Sequence, residues 1–300
     1  MKKTAYCKIN LTLEILGTKR GDGFHDLKTV MHKIPLGDVI ELCADKDGKG
    51  SITLVCDSDV CKNEDNLAYK AARMFLEAYS EKTGKSADVH ISLSKITPTG
   101  AGLGGGSADA ATVLDMLKKE LGEMSDDEIL VMAEKLGSDV PFCLERYVSA
   151  YCTGRGEACR SIDTLPRGTC IVVAKPVEGI NTKGIYGEYD KAFGDDYSKA
   201  SSDKMEKALS DGNLSNVAEC MINDFEFVCI PRLPEIDVIK NKMSLSGSVG
   251  CMMSGSGSAV YGLFDSRDRA KKCYESLKAY GLTEVFVFTD EDFEKMYKGE

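Results

Sequence analysis

Pro98-Thr99-Gly100-Ala101-Gly102-Leu103-Gly104-Gly105-Gly106-Ser107-Ala108-Asp109-Ala110-Ala111 is the stretch on which the reading of this chain turns. From Gly100 to Gly106 five of seven residues are glycine. Glycine reaches positive φ without strain and lets a ligand come close to the backbone. Before the run, Val89 to Leu93 reads as a strand. After it a helix is predicted to begin near Ser107, with Ala110, Val113, Leu114 and Leu117 on one face and Gly122 as its stop. A strand, a glycine loop and a helix in that order direct backbone N–H groups and the positive end of a helix dipole at one place. Phosphate is held that way.

Better-known glycine loops fit less well. Gly100, Gly102 and Gly105 satisfy GxGxxG, but a dinucleotide-binding unit needs a second strand ending in an acid about 20 residues on. Residues 119 to 136 read instead as helix end, turn and helix. Gly84-Lys85-Ser86 supplies the tail of a GxxxxGK[ST] loop, yet Tyr79 stands where its first glycine belongs. Neither HRD nor DFG, the protein-kinase tripeptides, occurs.

Outward from the loop, Ile9, Leu11, Leu13 and Ile15 alternate on one strand face, and further strands are expected at Asp38–Cys43 and Ser51–Cys56. A helix opens after Asn66 and stops at Gly84; another starts at Ser125, where Glu128 completes a capping box. In the second half, strands are expected at Cys170–Ala174 and Thr283–Phe288 and a helix at Ser266–Tyr280. An apolar run from Val249 to Phe264 is broken by Ser254-Gly255-Ser256-Gly257, and residues 187 to 215 read as polar, partly helical and exposed. Strands and helices mix without strict alternation, which favours α+β. Gly154, Gly156, Pro166 and Gly168 suggest a boundary that divides the chain into residues 1–157 and 158–300.

The chain has 300 residues and a formal charge of −10, so it lacks the basic face that broad nucleic-acid binding needs. No apolar run approaches the ~18 residues of a membrane span, and the N-terminus lacks a signal peptide's unbroken apolar segment, so a cytoplasmic location is expected. Twelve cysteines are scattered with no CxxC pair, and there are three histidines, so zinc spacing is absent and free thiols are expected.

The loop resembles the P-x-G-x-G-L-G-S/G-S/G-S motif of the GHMP kinases (galacto-, homoserine, mevalonate and phosphomevalonate kinases). Two further motifs of that family fall in the right order, Ala5-Tyr6-Cys7-Lys8-Ile9-Asn10-Leu11 before the loop and Met253-Ser254-Gly255-Ser256-Gly257-Ser258 after it. The resemblance implies a two-domain α+β GHMP kinase fold. Its N-terminal ATP-binding domain would be ribosomal-protein-S5-domain-2-like and its C-terminal domain ferredoxin-like, with the site in the cleft between them. It implies ATP and Mg²⁺ as cofactors. Asp22-Gly23-Phe24-His25, Glu64-Asp65-Asn66-Leu67, Gly137-Ser138-Asp139-Val140-Pro141 and Asn223-Asp224-Phe225-Glu226 narrow it to the branch whose acceptor is the 2-hydroxyl of a cytidine-diphosphate-linked methylerythritol. A homoserine- or mevalonate-type kinase, or a non-catalytic ligand-binding relative, is the alternative.

By the same resemblance, Asp139 is the base and Lys8 its cationic partner. A tertiary alcohol is a weak acid, so a carboxylate close to its proton and an ammonium beside that carboxylate suit the chemistry. Pro98, Gly100, Gly102, Leu103, Gly104, Gly105, Gly106 and Ser107 would hold phosphate, with Ser107 also touching Mg²⁺. Asn66 and Lys95 would line the nucleotide pocket, although Asn66 reads equally as a helix terminus. Asp109 reads as a first-turn acid, with a water-mediated reach to the metal as the other option. Asn10, Phe24, His25, Thr182, Ser254 and Gly255 would meet the acceptor substrate. Phe24 stands where the family usually has tyrosine, Asn181 replaces a usual serine, and Cys7 a usual alanine.

Overall fold

The computed structural model describes residues 1–17, 25–58, 63–144, 147–179, 184–193 and 202–299. They form two compact units: Met1–Cys7 with Leu36–Thr99 and Gly104–Arg146, and Lys8–Pro35 with Gly100–Leu103 and Tyr147–Glu300. Two long strands, β1 (Lys2–Leu16) and β2 (Asp26–Asp45), contribute residues to both.

The first unit adds β3 (Ile52–Cys56), α1 (Leu67–Thr83), β4 (Asp88–Ser94), α2 (Gly105–Leu121), α3 (Asp126–Leu136) and α4 (Val140–Leu144). β4 pairs antiparallel with β2, Val39 opposite Ser94 and Asp45 opposite Asp88, and β3 lies parallel to β4. Along β4 the period is two: Val89, Ile91 and Leu93 are buried while His90, Ser92 and Ser94 are exposed. The buried face packs with Ala71 and Phe75 of α1 and Val113, Leu114 and Leu117 of α2 in one core. The helix limits follow local chemistry. Asn66 Oδ1 caps α1 by accepting from Ala68 N at 2.9 Å, and Gly84 closes it at φ 69°. The expected Ser125–Glu128 capping box opens α3.

The second unit holds β5 (Ser149–Thr153), β6 (Ala158–Ser161), β7 (Cys170–Ala174), α5 (Ile185–Phe193), α6 (Ser202–Ser210), α7 (Leu214–Cys220) and β8 (Ile222–Asn223). It continues with α8 (Glu226–Arg232), α9 (Glu235–Leu245), β9 (Gly250–Met253), β10 (Val260–Phe264), α10 (Arg267–Tyr280), β11 (Val285–Phe288) and α11 (Asp290–Lys298). β5 pairs with β2 across Thr29–His32, and β8 runs parallel to β1 at Thr12 and Leu13. The other sheet has the antiparallel order β11-β7-β10-β9, which is the fourth, first, third and second of its strands in chain order. With α9 and α10 packed on it through Ile236, Ile239, Cys273 and Leu277, this is the ferredoxin-like arrangement the resemblance implied.

Two expectations change. The compact units interleave and are not consecutive segments meeting at residue 157, because β1 and β2 each supply residues to both. The glycines that suggested the boundary have another use: Gly154 and Gly156, at φ 71° and 110°, form the turn between β5 and β6 inside one unit. The polar segment after residue 187 is not wholly exposed either, since α5 and α6 bury Tyr189, Met205 and Leu209. The eleven described cysteines are free thiols, five of them buried. Among the described residues no helix is long and apolar enough to cross a membrane.

Candidate active site

The glycine loop leaves β4 at Lys95 and ends at α2. Gly100, Gly102 and Gly104 have φ of 63°, 76° and 70°, while Ala101 and Leu103 between them keep negative φ. Alternation of hand along a backbone turns successive N–H groups toward one side and makes an anion-binding concavity. Gly104 is the N-cap of α2 and offers no side-chain cap, and the first helical bond runs from Ala108 N to Gly104 O at 2.9 Å. The N–H groups of Gly105, Gly106 and Ser107 therefore precede the helix's own bonding and point out of its end. The helix begins two residues before the expected Ser107 because glycines 105 and 106 are already helical.

Lys95 does not present a free ammonium to a nucleotide. Its Nζ is bound by Asp38 and by Asp109 Oδ2, the latter at 2.7 Å. Asp109 is 2% exposed and, with α2 starting at Gly105, lies beyond the first turn, so it is not the first-turn acid that the sequence suggested. Burial pushes its carboxyl up to about 7, against the pull of Lys95 and with the push of Asp38. Burial works against the charge of Lys95, but the two carboxylates outweigh it and hold its pKa above the ordinary value.

In the second unit Lys8 is 3% exposed and its ammonium donates to Asn10 Oδ1 at 2.6 Å. Asn10 Nδ2 donates to Thr29 Oγ1 at 2.8 Å, Thr29 Oγ1 to Thr12 O at 2.6 Å, and Tyr261 OH to Asn10 O at 2.7 Å. This buried chain locks the lysine in one rotamer. Beside it, Ser254 Oγ donates to Gly102 O at 3.1 Å, and Ala259 N to Ala101 O at 3.0 Å. Lys8 N donates to Leu103 O at 2.9 Å. A Cβ on Gly255 would stand 2.8 Å from Gly102 O and 3.3 Å from Lys8 Nζ, so only glycine permits this approach. The second glycine motif thus buttresses part of the first. Asn223 was not foreseen as a site residue. Its Nδ2 donates to Met253 O and Gly255 O, both at 2.8 Å, and so shapes that second motif. The signal was its place in Asn223-Asp224-Phe225-Glu226, whose other polar members are also internal struts: Asp224 Oδ2 accepts from Ile15 N at 2.8 Å, and Glu226 accepts from Met253 N at 2.7 Å.

His25 is buried, with Nδ1 3.3 Å from Gly17 O and Nε2 3.0 Å from Asp190 Oδ1. Its ring stacks on Tyr186 at 5.6 Å and 9°, and Tyr186 in turn meets Phe225 edge-on at 4.8 Å. Tyr186 is 38% exposed and is a second unforeseen candidate, one of three aromatic residues in α5. Phe24, Asn181 and Thr182 lie outside the described residues. Asp139 stands just ahead of α4, where its carbonyl accepts from Cys143 N at 3.2 Å. It and Ser107 belong to the first unit, with Asn66 and Lys95; Lys8, Asn10, His25, Ser254 and Gly255 belong to the second.

These features are those of a phosphoryl-transfer enzyme of one lineage. Residues 66–146 match the GHMP kinases N-terminal domain and residues 205–282 the GHMP kinases C-terminal domain. The chain belongs to the GHMP kinase family. Within that family it is 38% identical over 291 residues, 96% of this chain and 99% of the relative, to the 4-diphosphocytidyl-2-C-methyl-D-erythritol kinase of Clostridium botulinum strain Langeland. It is 38% identical over 277 residues to the enzyme of the same name from Clostridium novyi, covering 92% and 95% of the two chains. A crystal structure of a 4-(cytidine 5'-diphospho)-2C-methyl-D-erythritol kinase superposes with TM-score 0.76 at 31% identity, covering 96% of this chain and 98% of that one. The mevalonate kinase of L. major shares the fold alone, at TM-score 0.69 and 15% identity over 96% and 94% of the chains.

Proposed function

We propose that this protein is a 4-diphosphocytidyl-2-C-methyl-D-erythritol kinase, transferring the γ-phosphoryl group of ATP to the 2-hydroxyl of its cytidine-diphosphate-linked acceptor in the non-mevalonate isoprenoid pathway, in the cytoplasm. The observation that carries phosphoryl transfer is the loop with alternating positive φ that runs into the uncapped start of α2. The choice of acceptor follows the end-to-end likeness to kinases of that name.

Backbone N–H groups at Gly104 to Gly106 and the Ser107 hydroxyl hold the phosphates, since α2 offers donors there and no competing side-chain cap. Asp139 takes the proton of the alcohol, and Lys8 supplies positive charge to the acceptor side. Asn10 keeps that ammonium in place. Bound with ATP, Mg²⁺ would neutralise phosphate charge. Ser107 is the first-turn side chain suited to it, since Asp109 is committed to Lys95. Phe24, His25 and the exposed face of Tyr186 receive the cytosine ring, a flat π-face being the natural platform for a pyrimidine. Asn66 lies at the nucleotide's edge through its amide, while its oxygen caps α1.

ADP release tests the reading, measured with the cytidine-linked alcohol, homoserine and mevalonate offered separately. Turnover with the first alone is expected. Turnover only with homoserine or mevalonate would move the protein to another branch of the family, and no turnover with any of them would make it a non-catalytic relative.

A further inference from the structure

One buried carboxylate holds both ends of the glycine loop. Asp38, on β2, is fully buried. Its Oδ1 accepts from Ile96 N at 2.6 Å and Thr97 N at 2.7 Å, the residues by which the chain approaches the loop. Lys95 N is held in addition by Asp57 Oδ1 at 2.9 Å. Asp38 Oδ2 binds the Lys95 ammonium, which reaches on to Asp109 in α2. At the loop's far end the fit is close: a Cβ on Gly105 would stand 2.8 Å from Thr97 Cγ2 and 3.5 Å from Asp38 Oδ2. Thr97, which Asp38 orients, is therefore the surface against which α2 starts.

The geometry assigns Asp38 as the positioning residue for the phosphate loop, a clamp that acts through Lys95 and Asp109 to hold residues 96–97 and the first turns of α2 in register. The assignment rests on the reading of this loop as the ATP-phosphate site. A loop whose ends are already fixed loses less conformational freedom when its N–H groups close on an anion. Removing Asp38 releases two backbone N–H groups and one of the two acceptors of a buried ammonium at once. Burial pushes the Asp109 carboxyl up to about 7, which lessens the negative charge the cluster places behind the helix end that takes phosphate. Lys95 becomes a strut of the loop, and direct phosphate binding is left to the backbone.

The test is calorimetric titration of the whole protein with ATP, alongside thermal melting and KM for both substrates. Asp38→Ala should weaken ATP binding at least 10-fold and raise KM for ATP in step, with KM for the acceptor alcohol within 2-fold of wild type. Asp38→Asn keeps an oxygen for Ile96 and Thr97 but loses the charge toward Lys95, and should fall between, at about 3- to 10-fold. A folded Asp38→Ala protein that melts earlier yet binds ATP as wild type does would overturn the assignment, as would equal rises in both KM values. If Asp38→Ala does not fold, Asp38→Asn decides: ATP affinity equal to wild type overturns the clamp. A wild-type protein that binds ATP but phosphorylates no cytidine-linked alcohol would remove the acceptor assignment and leave the clamp's test intact.

Discussion

Gly106→Val separates phosphate binding from folding at a position where the structure keeps the two apart. Gly106 is exposed, is the second residue of α2, and has no positive φ to strain a side chain. An added Cβ would meet only Leu67 Cδ1, at an ordinary 3.5 Å. Valine's helix propensity is no worse than glycine's, so the fold should tolerate it and the melting temperature should stay within a few degrees. Side chains on a helix tilt toward its N-terminus, so the isopropyl group would lie over the N–H groups proposed to hold phosphate. Hydrogen bonds to charged groups are each worth about 1.5–3 kcal/mol. Loss of one such bond corresponds to about 10- to 150-fold in ATP affinity at about 1.4 kcal/mol per decade. Gly105→Val would be a poorer experiment, because its Cβ would press on Thr97 Cγ2 at 2.8 Å and mix folding with binding. Calorimetry with ATP on the folded Gly106→Val protein is the assay. Wild-type affinity would refute the placement of phosphate at this helix end.

Asp139→Asn should lower kcat by about 10²–10⁴-fold with ATP affinity kept, because the amide preserves shape and cannot accept the proton; kcat within a few-fold of wild type would reject Asp139 as the base. Phe24→Ala and Tyr186→Ala should each raise KM for the cytidine-linked substrate about 5- to 150-fold, from a stacking energy of about 1–3 kcal/mol, and leave KM for ATP alone. Equal rises for both substrates would point to a core role for these rings. His32 is buried with Nδ1 2.7 Å from Ser149 Oγ, and burial pushes it down to about 3. It stays neutral in the fold and gains a proton on unfolding below its ordinary 6.5, so its share of stability is complete above that pH and is lost as pH falls toward 3. The slope from one such proton is at most about 1.4 kcal/mol per pH unit, and urea midpoints measured between pH 4 and 6 should flatten in His32→Gln; an unchanged slope would assign the acid sensitivity elsewhere.

What the sequence made legible was what local rules govern. Ser125 and Glu128 marked a helix start because a capping box needs only four residues, and Gly84 and Gly122 marked helix ends because each ends its helix at positive φ. The strand Cys170–Ala174 was readable as an unbroken apolar run, and it is buried throughout. β2 was read only from Asp38 to Cys43, yet it runs from Asp26 to Asp45. Pro35 and Gly37 argue against a strand locally, and pairing with β4 and β5 overrides them. Lys95 and Asp109 were each readable as a residue type, but their bond to one another and to Asp38 is set by tertiary packing across residues 14 and 57 positions apart. Asn66 shows the reverse case: its capping role was legible because a cap acts two residues away. Tyr186 drew no notice because no local pattern announces a ring that His25 will stack on.

The most direct test of the central claim is the chemical structure of the product. Incubation with ATP and the cytidine-linked methylerythritol, followed by ³¹P and ¹³C NMR, reports which oxygen has received phosphate. One new phosphomonoester per ADP formed is expected, coupled to the quaternary carbon that bears the 2-hydroxyl, with the diphosphate bridge to cytidine intact. A monoester on a primary or secondary carbon, or ADP formed with inorganic phosphate and no monoester, would contradict it.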